Sequence, residues 1–386
     1  MDMYDIGIAD EADAIWDCVS DLLTRPDRAG QAAVAGLPSA RNPRSLIVIE
    51  DRWAAARFVR SQFGGGGPRR SLKAGAVAAL IVTGLALRIP AFHFVVPAVR
   101  PWLGYHDWLR QTLPAEAQVG AVLLGPPRAN RKPVALLTNS SGQLIAVAKF
   151  GVNKVTRPLV RHEAVALQQV GHALRETVHV PRLLASGAVG RGEVVLMAPF
   201  PAAAPGGRPT RAALIEVVRA VGAIDRRPGA SLHEVASHPR LAPLRPRVDE
   251  VMRCNEGVEL GSFHGDFHSG NLAMAHDGRV VLWDWERWGH GAPMGFDLLH
   301  HDLQSWITQD GMPPRDAAAA LISRSTMILE PLGIGRSRAP TVARDYLVRL
   351  AARYAADEQD RAGAVLGAIE QWLFPAVLGR HADEEP

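Results

Sequence analysis

The sequence predicts an α+β fold with a small antiparallel β lobe carrying one helix, a larger and mostly helical lobe after it, and a mainly helical extension in front of both. Short apolar runs separated by turn residues fill the segment 116–200. Helical spacing of apolar residues dominates after the Pro- and Gly-rich stretch that begins at 201. We therefore divide the chain into an extension over 1–115, a small lobe over 116–200 and a large lobe over 201–386.

The extension is the part of the chain whose sequence carries no motif that we can interpret. Four glycines at 64–67 predict a flexible joint between two apolar segments. The apolar run Ala74–Leu87 is shorter than the roughly 20 residues that a spanning helix needs, and Arg88 ends it. We expect a buried core helix and no membrane span, with peripheral membrane contact through 74–97 as the alternative.

Composition limits the classes of protein to which the chain can belong. The 386 residues contain two cysteines, Cys18 and Cys254, which are too far apart in sequence to indicate a disulfide framework or a thiolate zinc site. The first residues are acidic and lack a secretory pattern, so we expect a cytoplasmic protein. A net charge of +4 suits anionic ligands, but the basic residues look scattered, and no nucleic-acid motif is present.

The small lobe is predicted to contain five strands and one helix. Asn139 to Gly142 form a tight turn between the second and third strands, because Gly142 tolerates positive φ and Asn139 can bond its own backbone. Thr156 opens a helical pattern that should end near Arg175. The predicted strands lie in five apolar segments, around 119–125, 133–138, 144–150, 180–187 and 193–200.

The segment 262–302 carries a constellation of polar residues suited to phosphate chemistry. Asp266 and Asn271 lie at opposite ends of one tight loop, within the run HGDFHSGN. The apolar run VVLW predicts a strand that delivers Asp284 back beside Asn271. An amide oxygen and a carboxylate placed in this way are hard ligands suited to Mg²⁺. Asp266 can then hold or deprotonate an attacking hydroxyl.

A cation for the phosphates is expected from the small lobe. Lys149 ends the run AVAK on the third strand, and Glu163 lies on the predicted helix, fourteen residues later. This order is similar to the strand lysine and helix glutamate of kinases. Without the other motifs, an exposed ion pair that contributes little would be the better interpretation of the two residues.

Together these motifs resemble the aminoglycoside phosphotransferase and choline kinase family, within the protein-kinase-like superfamily. The resemblance covers 118 to about 305 and depends on HGDFHSGN, on DWE after the VVLW strand, and on the Lys149 and Glu163 order. It implies a protein-kinase-like two-lobe fold with a nucleotide-binding small lobe and a catalytic, substrate-binding large lobe. It also implies phosphoryl transfer to a hydroxyl of a small molecule, with ATP or GTP and Mg²⁺ as cofactors.

The resemblance assigns roles to five residues of the large lobe. Asp266 is implied as the catalytic residue, and Asn271 and Asp284 as the metal ligands. Asp297 is implied to buttress the metal loop, and His264 to orient the catalytic loop rather than react.

One departure from the kinase pattern is the loop between the first two strands. It reads GPPRANRKP, with one glycine instead of the Gly-rich pattern of protein kinases. Arg128 and Asn130 are candidate phosphate contacts there, with Arg131 and Lys132 beside them. A solvated basic hairpin tip explains the same residues about as well.

Several alternatives stay open at this point. A non-catalytic scaffold that keeps the kinase fold is the main rival, and a protein Ser/Thr kinase is weaker because no A-P-E segment follows DWE. The histidines near the motif lack zinc-ligand spacing, so we assign them no metal. The chain is basic and has few clustered carboxylates after Asp302, which favours a sugar-like or metabolite alcohol over an aminoglycoside. The choice of ATP or GTP and the oligomeric state are left open.

Overall fold

We describe the fold from a computed structural model, which covers residues 3–23, 33–64, 68–96, 103–126, 128–200, 207–229, 231–359 and 366–379. The strands are β1 (Val34–Leu37), β2 (Ser45–Val48), β3 (His93–Phe94), β4 (Gln118–Leu123), β5 (Val134–Thr138), β6 (Leu144–Gly151), β7 (Val178–His179), β8 (Leu183–Val189), β9 (Gly192–Met197), β10 (Leu260–Phe263), β11 (Leu272–Met274), β12 (Val280–Leu282) and β13 (Gly289–Pro293). The helices are α1 (Met3–Leu23), α2 (Arg52–Phe63), α3 (Pro68–Val82), α4 (Leu85–Arg88), α5 (Tyr105–Thr112), α6 (Thr156–Ala173), α7 (Arg211–Gly222), α8 (Leu232–Val235), α9 (Arg245–Cys254), α10 (Phe296–Thr308), α11 (Pro314–Ser323), α12 (Ser325–Leu329), α13 (Ala339–Ala356) and α14 (Ile369–Leu378). Short 3₁₀ turns lie at Pro239–Leu244, Trp285–Arg287 and Glu330–Leu332.

The first of two compact units is built on an eight-stranded sheet. This unit comprises Met1–Pro126, Asn130–Gln168 and Pro181–Gly206. The strands run in the order β3-β1-β2-β4-β5-β6-β9-β8, and all neighbours are antiparallel. Helices α1 and α5 cover one face, where Val19 and Leu109 join a core with Leu137 and Phe150 of the sheet. Burial of this apolar face is the main term that holds the unit together.

The five strands predicted for the small lobe are β4, β5, β6, β8 and β9, and the predicted helix is α6. The predicted turn is also confirmed, because the Asn139 side chain accepts hydrogen bonds from the N–H groups of Ser141 and Gln143 and Gly142 has φ of 78°. The α+β class that the sequence predicted is therefore confirmed by the elements themselves.

The N-terminal extension differs from its prediction. Residues 1–115 are mainly helical, but they also supply β1, β2 and β3, which continue the sheet of the small lobe through the pairing of β2 with β4. They belong to the same compact unit as the small lobe rather than to a separate one. The strands were missed because VAGL and SLIV are only four residues long and show no alternation of polar and apolar residues.

The second unit is mostly helical and comprises Pro127–Ala129, Gln169–Val180 and Gly207–Pro386. Its segment 169–180 had been expected in the small lobe, but β7 pairs in parallel with β12. Helices α10, α11 and α13 pack together around buried leucines such as Leu299, Leu321 and Leu347. Two small sheets, β10-β13 and β11-β12-β7, belong to the same unit and flank the loops that carry the polar motif.

Some predicted features lie outside the described residues, namely most of the glycine joint at 64–67, the linker at 201–206 and the C-terminal tail. The apolar run Ala74–Leu87 forms the end of α3 and most of α4, and it is half-buried, with Ala78 and Ile81 in the core and Ala76 and Ala79 exposed. Among the described helices, none combines the length and the apolar character that crossing a membrane requires.

Candidate active site

The polar motif forms one loop between two short strands. β10 leads into His264, Gly265 and Asp266, and the loop returns through Asn271 into β11. Antiparallel pairing of Leu272 with Leu282 sets the start of β11 beside the end of β12. The Trp283 N–H donates to the Asn271 carbonyl at 3.2 Å, so Asp284 follows directly beside Asn271. The sequence-predicted return of the strand toward the loop is therefore present.

His264 joins the two halves of this loop from inside the protein. Its Nδ1 accepts the N–H of Asp266 at 3.2 Å, and its Nε2 lies 3.0 Å from the Trp283 carbonyl. Because Nδ1 accepts, the proton of the neutral ring is on Nε2, which donates to that carbonyl. Burial lowers the pKa of His264 to about 4, so the ring is neutral near pH 7. Trp285 covers the ring in an edge-on contact with centroids 4.6 Å apart.

Asp297 fixes the backbone on which Asp266 is carried. It lies in the first turn of α10, where its carboxylate accepts the N–H of His264 at 2.7 Å and that of Gly265 at 3.0 Å. The side chain is buried, and burial together with the nearby Asp266 raises its pKa to about 6, although the two N–H donors oppose the shift. A buried carboxylate with two backbone donors locks the loop in one conformation.

Three side-chain nitrogens lie close to the Asp266 carboxylate. Its Oδ2 lies 3.4 Å from His268 Nε2 and 3.1 Å from Asn271 Nδ2, and its Oδ1 lies 3.3 Å from His300 Nε2. Burial alone would raise its pKa, but the hydrogen bonds from the two histidines and the Arg353 guanidinium outweigh burial and hold the pKa well below its usual range. The carboxylate is therefore ionised at neutral pH, and its side chain keeps 28% exposure through which a substrate can reach it.

His300 and Tyr346 support Asp266 from the interior. His300 is buried on α10, and its Nδ1 lies 2.8 Å from the Tyr346 hydroxyl on α13. Burial lowers the pKa of His300 to about 4 and raises that of Tyr346, so both groups are neutral. Since Nε2 faces a carboxylate oxygen, it must carry the ring proton, and the Tyr346 O–H donates to Nδ1. The Tyr346 hydroxyl thus holds the His300 ring, whose Nε2 lies 3.3 Å from Asp266 Oδ1.

Arg353 brings a positive charge to the same loop. It lies on α13, two turns after Tyr346, and its NH1 donates to the Gly265 carbonyl at 2.5 Å. The same nitrogen lies 4.0 Å from Asp266 Oδ1. The guanidinium therefore fixes the loop backbone and makes the surroundings of Asp266 more positive.

Asn271 and Asp284 present the oxygen chemistry that a divalent cation requires. The Asn271 Nδ2 group donates to the carbonyl and the carboxylate of Asp266, which leaves its Oδ1 turned away from that carboxylate. Asp284 has φ of 69°, and among the described non-glycine residues it shares positive φ with Glu358 alone. Positive φ costs energy in such a residue and is common at functional sites. An amide and a carboxylate oxygen on adjacent strand ends fit Mg²⁺ as ligands.

In the first unit, Lys149 and Glu163 form the predicted pair. Lys149 lies on β6 and Glu163 on α6, and the Lys149 Nζ contacts both Glu163 oxygens, at 2.6 and 2.8 Å. The side-chain exposures are 10% for Lys149 and 0% for Glu163, so the pair is a buried one and not the exposed pair of the alternative interpretation. Asn153 and Thr156 cap the start of α6, which fixes the register of Glu163.

The basic loop before β5 contains the predicted phosphate contacts Arg128 and Asn130. Arg128 is exposed, and Asn130 is half-buried. The Arg131 side chain turns back toward the end of β4, where its Nε donates to the Leu124 carbonyl at 3.1 Å. Lys132 is buried. The phosphate contacts of Arg128 and Asn130 stay predictions.

Sequence reasoning missed several side chains that lie around Asp266 and its loop. From the sequence we assign His268 and His300 no metal, and we give neither Tyr346 nor Arg353 a role. The available signal was the polar pair Tyr346 and Arg353, seven residues apart and therefore on one face of a helix whose other residues are largely apolar.

No known protein-family model matches the chain, and no curated protein matches its sequence. Similar solved structures include a thermostable mutant of aminoglycoside phosphotransferase APH(4)-Ia in complex with ADP and hygromycin B, at 14% identity and a TM-score of 0.45 over 73% of this chain and 100% of that one. Choline kinase LicA from Streptococcus pneumoniae is similar at 12% identity and a TM-score of 0.45, over 71% of this chain and 97% of that one. A putative fructosamine-3-kinase from Haemophilus somnus is similar at 11% identity and a TM-score of 0.40, over 64% and 88%.

Proposed function

We propose that the chain is a phosphotransferase that moves the terminal phosphoryl group of ATP or GTP to a hydroxyl group of a small molecule. The observation that carries the proposal is the environment of Asp266. Its ionised carboxylate accepts a hydrogen bond from Asn271, lies 3.4 and 3.3 Å from ring nitrogens of His268 and His300, and remains partly exposed. It lies beside Asn271 and Asp284, which offer ligands for Mg²⁺.

The reaction requires positioning more than covalent chemistry. The acceptor O–H donates to the Asp266 carboxylate, which aligns its oxygen with the terminal phosphorus. The acceptor oxygen bonds to phosphorus while the bond from phosphorus to the bridging oxygen breaks. The nucleoside diphosphate leaves with the bond electrons, and the acceptor proton passes to Asp266 and then to solvent. The low pKa of Asp266 makes it a weak base that suits orientation of the hydroxyl.

The remaining groups handle phosphate charge. We assign Lys149 to the phosphates that do not transfer, with Glu163 holding its ammonium in place. Asn271 and Asp284 would hold Mg²⁺, which when bound neutralises charge on the phosphate oxygens. Arg128 and Asn130 are further candidates for phosphate contact. His264 and Asp297 position the loop and do not touch the reacting atoms.

For the acceptor, we favour a neutral or anionic sugar-like or metabolite alcohol over an aminoglycoside. Arg353 places a cation 4.0 Å from Asp266, and Asp302 is already paired with Arg211 at 2.6 Å. A polycationic drug would be repelled by Arg353 and would find the Asp302 carboxylate already paired. Protection of cells from aminoglycosides on expression of the chain would contradict this choice.

A scaffold protein that binds nucleotide without turning it over is the rival function. The arrangement of the side chains argues against it, because a scaffold does not require a partly exposed Asp266 hydrogen-bonded to Asn271 together with a buried Lys149–Glu163 pair.

The test is nucleoside diphosphate release with Mg²⁺ over a panel of sugars, amino alcohols, nucleosides and aminoglycosides. Asp266→Asn should lower acceptor-dependent turnover by at least about 100-fold while nucleotide affinity, measured by calorimetry, stays near wild type. Asp310→Asn, at an exposed aspartate, is the matched control and should retain full turnover. Binding of nucleotide with no acceptor-dependent turnover in any member of the panel would favour the scaffold instead.

A further inference from the structure

The segment 52–106 has an unusual charge composition. It contains eight lysines and arginines and no aspartate or glutamate, whereas the whole chain has a net charge of only +4. The rest of the chain is therefore acidic overall. The basic residues look scattered along the sequence, and the lack of acidic residues between them is what concentrates the charge.

The described basic residues of this segment lie on the surface. Helix α2 exposes Trp53, Arg57 and Arg60 at spacings of four and three residues, which place them on one face. The opposite face, with Phe58 and Val59, is buried. The exposed basic side chains of the segment are Arg52, Arg57, Arg60, Arg69, Arg70, Lys73 and Arg88.

Helix α3 repeats this arrangement. Arg69, Leu72 and Lys73 are exposed on its first two turns, and Leu72 is 76% exposed. The helix packs against α2, with the Arg52 guanidinium against Gly84 at the end of the pair. Of the six large apolar side chains that are exposed among the described residues, four belong to this segment, namely Trp53, Leu72, Leu85 and Val95.

We propose that α2, α3 and α4, together with Val95, form a docking surface for an anionic phospholipid bilayer. Exposed apolar side chains set among lysines and arginines fit the interface of such a bilayer, where the apolar groups insert between headgroups and the cations face phosphate or carboxylate. A nucleic acid would satisfy the cations but leave Leu72, Leu85 and Val95 in water. The helices of this surface are too short or too polar to span, so the contact is peripheral.

This inference is independent of the proposed function, because the surface contains none of the residues assigned to phosphoryl transfer. It extends the peripheral contact that the sequence suggested for 74–97 back to Arg52 and bases it on charge as well as apolar exposure.

The experiment is sedimentation of the full chain with vesicles of phosphatidylcholine alone and of phosphatidylcholine with about one third phosphatidylglycerol. We expect binding only to the second kind, and weaker binding as salt is raised. Each basic residue near an anionic surface strengthens binding by roughly fivefold, so the triple variant Arg69→Ala, Arg70→Ala, Lys73→Ala should bind about 100-fold more weakly. Trp53→Ser with Leu72→Ser should also weaken binding, at unchanged charge.

The matched control removes three exposed arginines elsewhere, through Arg175→Ala, Arg182→Ala and Arg336→Ala. Equal loss in this control, or no sedimentation of the wild type with anionic vesicles at low salt, would overturn the proposal. Tight binding of an oligonucleotide without vesicle binding would also overturn it. Asp266→Asn should bind vesicles like wild type, so that failure here and failure of the phosphotransferase proposal are told apart.

Discussion

The buried pair of Lys149 and Glu163 allows a prediction with a worked magnitude. Glu163→Gln keeps the shape of the side chain but removes the charge that faces the Lys149 ammonium at 2.6 and 2.8 Å. Because Glu163 has no exposed side-chain surface, water cannot replace the carboxylate. Loss of one partner of a buried pair costs about 3–5 kcal/mol in the free energy of unfolding. For a unit of this size that corresponds to a fall in Tm of roughly 6–20 °C.

Urea unfolding followed by circular dichroism, with calorimetry for Tm, measures this effect. Glu216→Gln is the matched control, because Glu216 contacts Arg219 at the same 2.6 Å but both side chains are more than half exposed. That variant should lose less than about 1 kcal/mol. The double variant Lys149→Met, Glu163→Leu should recover most of the stability, since no charge is then left buried without a partner. Equal stability of Glu163→Gln and wild type would refute the interpretation of the pair as buried and tightly coupled.

Three further predictions concern the loop around Asp266. Tyr346→Phe removes the hydroxyl that donates to the buried His300 Nδ1. The free energy of unfolding, measured by urea titration, should therefore fall by about 1–3 kcal/mol. An unchanged urea midpoint would argue against the His300 tautomer with its proton on Nε2. Burial lowers the pKa of His300 from its ordinary value to about 4, so the unfolded chain takes up a proton first and stability falls as pH drops from about 6.5 to 4. His300→Gln should remove up to about 3 kcal/mol of this pH dependence, and parallel pH profiles for the two proteins would contradict the assignment. Gly265→Ala places a Cβ 2.3 Å from the Arg287 carbonyl oxygen. It should destabilise the chain by clearly more than Gly278→Ala, because Gly278 has the same φ of 83° but open space around it. Equal melting temperatures of the two variants would show that the loop relaxes freely.

The small lobe was predictable because its signals are local. Alternation, turn residues and a helix start lie within a few positions of each other, as at Asn139 and Thr156, and each local preference agrees with the final fold. The strands β1 to β3 were not predictable in the same way. Their four-residue or shorter runs become strands only through pairing with β4 and with one another, and that information is not local.

The candidate site also contains some residues that local sequence patterns predict and others that depend on tertiary packing. Asp266, Asn271 and Asp284 lie within nineteen positions of one another, and their spacing alone places them around one loop. Tyr346 and Arg353 reach this loop from a helix that begins more than seventy residues after Asp266. Their contribution depends on the packing of α13 against α10, which no local pattern in the sequence encodes.

The pairing of β2 with β4 determines where the chain can be cut. A fragment that begins at residue 116 would keep every residue assigned to phosphoryl transfer, but it would lose β1 to β3 and the helices α1 and α5 that cover the sheet. β4 would then become an uncovered edge strand, with its row of backbone N–H and C=O groups open to other molecules and an apolar sheet face in water. Such a fragment should self-associate. In the full chain, β2 pairs with the edge of β4, and α1 and α5 cover the apolar face of the sheet.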